Sequence, residues 1–425
     1  MINVNDYKGK TDSETIENAL RHKDSDGMIL IPPRESDIEP ERKYWLIDRA
    51  ILLDENTTVV LRNSKIKLSD KCRDNFFRSA NCGFGFPDPK EMKNIHIRGE
   101  GFCVLEGAEH PRATGDGGKI LRNPCPHFPE DICAVRPEYV PEERLDSGKV
   151  DFWDIHANSY GTDAGNPDES QYGDWRGVGI LLANVDRFSI ENLHVVKQHG
   201  WGISLEACTN GSVRNIDFDA CMYKVIDGIP MNMENQDGID IRNGCHHIVI
   251  SDITGQTGDD LIALTAIVSN KETYLPGGSL RTTHVMHSDW SRRDRDIHDI
   301  VIRNVIGCSY LCWVLRLLAA NTKIYNVVAD GIIDTNTDAN REAGTILLGD
   351  NDDYATNLPD SIRGVTISNV VTGCKRSAIA LCGYMCDSAI TNVVNREPNC
   401  GILEVSRPDG MKNVSLSESV SVKAK

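Results

Sequence analysis

The chain has 425 residues, 40% of them hydrophobic, enough for a large core. A formal net charge of −17 argues against an extended phosphate-binding surface. No apolar run approaches membrane-spanning length and the opening MINVNDYKGKTDSETIENAL has no apolar signal core, so the expectation is a cytoplasmic protein with no nucleic-acid or membrane partner.

The first predicted element is a helix. DSETIENALRH has helical periodicity with Asp12 or Ser13 as N-cap, and GMILIPP follows as a strand. Within a cap of residues 1–35, this helix would cover the open end of a solenoid, where strand edges are otherwise unpaired. Composition marks no linker, so the whole of 1–425 reads as one domain. Residues 108–176, rich in Pro, Gly and Trp, form a long insertion that contains Trp153 and Trp175.

Beyond that insertion a motif recurs: a branched or aromatic residue, any residue, Asn, then Val, Ile or Leu. It appears at Asn192, Asn215, Asn304, Asn326, Asn369, Asn392 and Asn413, with Asp252 in the same role. The steps from Asn192 to Asn215 and from Asn369 to Asn392 are identical. A period just over twenty, filled by short alternating strands, predicts an all-β fold: a single-stranded right-handed parallel β-helix. Leucine-rich repeats share that period but need a leucine and helix pattern that is absent. Equivalent residues would stack about 4.8 Å apart, so the asparagines would form one amide ladder inside a corner.

The strands of the next segment keep the same step, from Ile239 to Ile262 and from Ile241 to Leu264. Each is entered through acidic residues, Asn235-Gln236-Asp237 and Gly258-Asp259-Asp260. Asp237 and Asp260 are separated by that step too, which places them on adjacent coils with Asp259 beside them. A second insertion, 267–298, follows and contains His284, His287 and Trp290. Long loops of a solenoid usually line one face and wall a binding site.

Fourteen cysteines, including Cys208, Cys221, Cys308, Cys312, Cys374 and Cys382, mostly adjoin apolar runs without zinc-like spacing. They read as buried, reduced, small hydrophobes.

Carboxylates this close cannot all ionise freely, so at least one pKa rises. A protonated acid beside an ionised base is what glycosidic cleavage requires. Two other readings stay open: Asp-Gly and Gly-Asp are common turn formers, and acidic turns also bind calcium. No metal or organic cofactor is expected.

NQDGIDI followed one coil later by TGDDLIAL resembles the paired acidic motifs of the polygalacturonase family, glycoside hydrolase family 28. The N-terminal cap and the coils to about Asn413 are similar as well. The resemblance implies a right-handed parallel β-helix and an inverting hydrolase. It implies that Asp259 is the general acid and that Asp237 and Asp260 hold and deprotonate the water. The family carries Gly-His-Gly one coil after the second acidic motif and Arg-Ile-Lys a further coil on. Gly-His-Gly is missing, and His284, one coil-length after Asp260, or His287 stands near its place. Arg316, somewhat over two coil-lengths after Asp260, aligns with the family arginine, and Leu318 replaces the lysine.

Substrate-binding candidates are therefore Arg316, His284, Asn235, His199 and Trp201, the last as a sugar-stacking ring. For several a plainer role is available: pairing with Asp240 for Arg316, packing for Trp201 and simple solvation for His284. The expected partner is a plant-type oligosaccharide, uronate- or rhamnose-containing among the options, attacked in exo fashion. A β-eliminating lyase or epimerase acting on uronates, and a non-catalytic glycan-binding protein, are the alternatives.

Overall fold

A computed structural model of the chain describes residues 1–69, 72, 74–82, 89–109, 177–198, 200–220, 223–226, 229–232, 236–267, 294–336, 343–351, 357–397, 399–417 and 420–424. The fold is a right-handed parallel β-helix, nearly all-β with long parallel sheets. The described residues fall into two compact units, one drawn from 1–204 and 219–236, the other from 205–218, 237–267 and 294–424. No helix among them is long and apolar enough to cross a membrane.

In the first unit, strands Met28–Ile31, Thr57–Arg62, Met92–Glu100 and Val185–Val196 follow one another in a parallel sheet. Ile51–Leu53, Phe77–Ser79 and Ile180–Ala183 form another. In-register partners are alike: Val59, Ile97 and Ile190 stack in the first sheet and Ile51, Phe77 and Ile180 in the second, all fully buried. Burying each such side chain contributes about 1.5–3 kcal/mol.

Helix α1 (Asp12–Arg21) lies against the first strands of both sheets and buries Ile16 and Ala19. Its N-cap is Thr11, not Asp12 or Ser13. The Thr11 hydroxyl accepts from the Glu14 N–H at 3.2 Å, while Glu14 reaches back to the Lys10 N–H at 2.7 Å. Asp12 is taken up elsewhere, paired with Arg34 and Arg42 at 2.9 and 2.5 Å.

The second unit alternates short and long strands: β1 (Ile239–Arg242), β2 (His246–Thr257), β3 (Ile262–Ile267), β4 (Ile297–Ser309), β5 (Leu315–Ala320) and β6 (Ile324–Asp334). They continue as β7 (Ile346–Leu348), β8 (Ile362–Thr372), β9 (Ile379–Leu381), β10 (Met385–Asn395), β11 (Leu403–Val405), β12 (Met411–Leu416) and β13 (Val422–Ala424). The short strands form one sheet and the long ones another. Ile239, Ile262, Leu315, Ile346, Ile379 and Leu403 stack through the short-strand sheet and are buried to 1% exposure or less.

The asparagine motif builds two ladders rather than one. Each long strand from β2 to β10 bends at two left-handed residues five positions apart, as at His247 and Asp252 (φ 56° and 60°), Asp299 and Asn304 (both 55°), and Asn326 and Gly331 (54° and 73°). Register puts Asn304 with Asp252 and Gly331, and Asn326 with Asp299. Asn304 and Asn326 therefore belong to different columns, and the interval between them matches the coil length only by near-coincidence. The amides donate to the preceding coil, Asn304 to Asp252 and Asn326 to Asp299, each at 3.0 Å. Both ladders lie on the exposed surface rather than inside a corner. Asparagine suits the position because it tolerates a left-handed φ and its amide can bond the next coil.

Candidate active site

The acidic corner arises from one glycine and strict register. Ile239 pairs with Ile262 and Ile262 with Leu315. Immediately before them, the Gly238 N–H donates to the Asp260 carbonyl at 2.9 Å and the Leu261 N–H to the Trp313 carbonyl at 3.0 Å. Asp237, Asp260 and Trp313 thus occupy one column on three successive coils. A Cβ on Gly238 would stand 2.4 Å from the Leu261 carbonyl oxygen and 3.2 Å from Leu261 and Phe218 side-chain carbons. Only glycine lets the coils approach this closely.

Asp237 and Asp260 are buried, at 6% and 1% exposure. Both Asp260 oxygens are engaged: Oδ1 accepts from the Trp313 N–H at 2.9 Å, and Oδ2 faces the Arg316 Nη1 at 3.3 Å. Burial pushes the Asp260 carboxyl up to about 6; Arg316 opposes that rise and the neighbouring Asp259 adds to it. Asp259 is half-buried. Its backbone is held by the Thr257 hydroxyl on its carbonyl at 2.7 Å, and its Oδ1 accepts from the Asp260 N–H at 2.9 Å.

Cys312 completes the cluster. Its sulfur and one oxygen each of Asp259 and Asp260 lie within 4.8 Å of one another. Burial, followed by the two carboxylates, raises the thiol well above its ordinary value. Cys312 is thus a neutral S–H group hydrogen-bonded to Asp259, not simply a small hydrophobe. These three donors have the spacing of a cation site.

Arg316 does not stand where the resemblance places it. β5 pairs directly with β3, Arg316 with Ala263, and Ala263 with Asp240. Arg316 is one coil after Asp260 rather than two, because the stretch of chain between them contains the second insertion plus a single coil. The coil expected to carry the family histidine carries Trp313 in the acidic column instead. Leu318, at the lysine position, pairs with Thr265 and is buried at 1% exposure.

Trp313 has its own space. A Cβ on Gly344 would meet Trp313 Cζ3 at 2.8 Å and the Ser377 carbonyl oxygen at 2.4 Å. Beside it opens a cavity of about 250 Å³ lined by Trp313, Arg316, Leu347, Asp350, Arg376 and Glu404, among others.

Of the residues singled out in the sequence, Asp237, Asp259, Asp260 and Arg316 fall in the second unit. Trp201 belongs to the first and is 7% exposed, which leaves little ring surface for a sugar and suits a packing role. His199, Asn235, His284, His287, Trp153, Trp175 and Trp290 lie outside the described residues, as do most of the two insertions. Cys312 and Trp313 are site residues that sequence reasoning does not reach; the signal for them is the register of LCWVLRL on TGDDLIAL, which the insertion hides from residue counting.

No family model matches the chain, and no curated protein matches it in sequence. Among solved structures it is similar to the endo-xylogalacturonan hydrolase from Aspergillus tubingensis, at 14% identity and a TM-score of 0.53 over 98% of this chain and 90% of that one. It is similar to PfbA, a surface adhesin of Streptococcus pneumoniae, at 13% and 0.53 over 99% and 93%. It also resembles a tailspike protein double mutant of E. coli bacteriophage HK620 in complex with a pentasaccharide, at 12% and 0.51 over 99% and 66%. At these identities the likeness is one of fold.

Proposed function

We propose that the protein is an inverting glycoside hydrolase acting on a short plant-type oligosaccharide. The observation that carries this reading is Asp260: a buried carboxyl with a pKa of about 6, in register with Asp237 and beside Asp259. A group near that value is poised to gain and lose a proton around neutral pH. Asp259, the more exposed acid, protonates the leaving oxygen. Asp237 and Asp260 hold the water and take its proton, and Arg316 keeps Asp260 oriented. The cavity beside Trp313 receives a sugar residue. Its roughly 250 Å³ is below the ~300–1,000 Å³ of pockets that enclose drug-sized ligands, which suits the end of a chain and hence exo action. A reducing, cytoplasmic setting belongs to this proposal and rests on cysteines that sit beside apolar runs as small hydrophobes.

The second reading is a glycan-binding protein without turnover. It is favoured by Trp313 standing in the coil of the family histidine and by the buried Leu318 in place of the lysine. Incubation with pectic, xylogalacturonan, rhamnogalacturonan and neutral oligosaccharides, followed by mass spectrometry, separates the two. Products heavier by one water in total support hydrolysis. Retention of intact oligosaccharide across the panel supports binding alone, and an unsaturated product supports elimination.

A further inference from the structure

Away from the acidic corner, three imidazoles converge on the long-strand sheet of the second unit. His246 and His247 stand on β2 and His298 on β4, with His246 and His298 in register. The rings of His246 and His298 stack with centroids 4.6 Å apart and planes 7° from parallel, and Tyr325 extends the stack at 4.7 Å. His247 stands edge-on to both histidines. One nitrogen from each of the three imidazoles lies within 4.8 Å of the others.

Three details distinguish this group from a run of solvated histidines. The His298 Nδ1 bonds Asp299 Oδ2 at 2.7 Å, and the other Asp299 oxygen accepts from the Asn326 amide at 3.0 Å. That contact keeps the proton on Nδ1 and leaves Nε2 with its lone pair, the carboxylate–histidine arrangement that orients metal ligands. Asp294 Oδ2 is 3.7 Å from this Nε2, an oxygen donor on the same side. Finally, His247 occupies the ladder column that the following coils fill with Asp299, Asn326, Gly364, Asp387 and Asn413, and it keeps the left-handed φ of 56°. Its Nδ1 thereby meets the His246 Nδ1 at 2.7 Å, one nitrogen donating to the other, a bond that fixes the two rings together and that an ion on either Nδ1 would replace.

We propose that His246, His247 and His298 bind one divalent transition cation of the zinc, nickel or cobalt class, with Asp294 supplying an oxygen and Asp299 orienting His298. Imidazoles with a carboxylate select such ions over calcium or magnesium. A tetrahedral ion with Zn–N bonds of about 2.0–2.1 Å sets nitrogens about 3.4 Å apart, so nitrogens now up to 4.8 Å apart draw together, the stacked His246 and His298 rings tilt toward a common point, and any ligation through Nδ1 opens the 2.7 Å His246–His247 contact. His247, with 55% of its side chain exposed, has the freedom to do so. The ion would tie neighbouring coils together across the second insertion and stabilise the folded chain by binding it preferentially.

The test uses the full-length chain freed of metal by chelator and titrated with Co²⁺, then Zn²⁺. The expected result is one equivalent of Co²⁺ giving visible d–d bands without the intense near-ultraviolet charge transfer of a thiolate ligand, displaced by Zn²⁺. His298→Ala and the exposed His247→Ala each weaken binding at least about tenfold, Asp299→Asn weakens it by about 10–100-fold, and Cys312→Ser leaves it unchanged. Because His247 is exposed, its variant keeps the test valid should His298→Ala misfold. The proposal is overturned by affinity no tighter than about 1 mM, by binding indifferent to both histidine variants, or by binding lost in Cys312→Ser with a thiolate band, which would place the ion at the acidic corner.

Discussion

Asp252 and Asp260 are close neighbours in one segment of chain, and both are stacked by the same coil register, yet they titrate in opposite directions. Asp252 stands on an exposed ladder, where the Asn304 amide and the Ser251 hydroxyl hold its carboxyl below the usual range. Asp260 stands in the turn that leads into β3 of the short-strand sheet, where burial and Asp259 push it up to about 6 in spite of Arg316. Asp299, on the other ladder, follows Asp252: the Asn326 amide and His298 lower it. A solenoid multiplies whatever its register repeats. On the ladders it alternates acceptors with amide donors in water, which stabilises coils. At the corner it places a carboxyl over a carboxyl out of water, where burial and the adjacent Asp259 raise the pKa of Asp260.

The comparison breaks first at Asp259. Asp259→Asn should lower turnover by about 10²–10⁴-fold with an unchanged circular dichroism spectrum; an active, folded variant would take the acid role away from it. The next largest effect is on pH. With Asp260 as base and Asp259 as acid, kcat should be bell-shaped: below pH about 6 it falls about tenfold per unit, roughly 100-fold by pH 4, and at higher pH it falls again as the acid loses its proton. A rate that instead falls as pH rises through 6 would assign Asp260 as the acid. The stability sign is also fixed. Since the folded pKa is raised, the folded chain holds a proton that the unfolded chain releases, so the Asp260 contribution is present at low pH and is lost as pH climbs from about 4 to about 6.

Packing gives the smaller effects. Gly238→Ala must push its new Cβ against the Leu261 carbonyl and should cost about 1–3 kcal/mol by urea denaturation. Asn304→Ala on the exposed ladder should cost about 1–2 kcal/mol, through the left-handed φ of 55° and the lost bond to Asp252, while leaving turnover untouched. If Asn304→Ala abolished activity and Gly238→Ala did not, the division between structural ladder and chemical corner would be wrong.

How much of this is legible in the sequence follows from where insertions fall. Asp237 and Asp260 are separated by one uninterrupted coil, so counting residues against the repeat places them correctly. Asp260 and Trp313 are also one coil apart, but residues 268–293 intervene, and counting sets Arg316 a coil too far along. Cys312 is hidden for the same reason: beside an apolar run it reads as core, and only register sets it against Asp259. Counting also merges the ladders, because coil length varies. Asn304 to Asn326 happens to span nearly one period, while the true partner of Asn304 is Gly331, whose lack of a side chain removes it from any asparagine motif. At the helix start, the Thr11-to-Glu14 spacing is present in the sequence, but Asp12 and Ser13 are equally good cap types. Geometry decides among them, because Asp12 is the residue that Arg34 and Arg42 claim.

The most direct test of the stacked-carboxylate account is a proton NMR time course of the anomeric signals, run on the first oligosaccharide found to be cleaved. The account predicts that the first-formed product carries the anomeric configuration opposite to that of the bond broken, before mutarotation equilibrates it. Retention of configuration would mean that a carboxylate attacks the sugar itself, and the assignment of Asp237 and Asp260 to a water molecule would then be wrong.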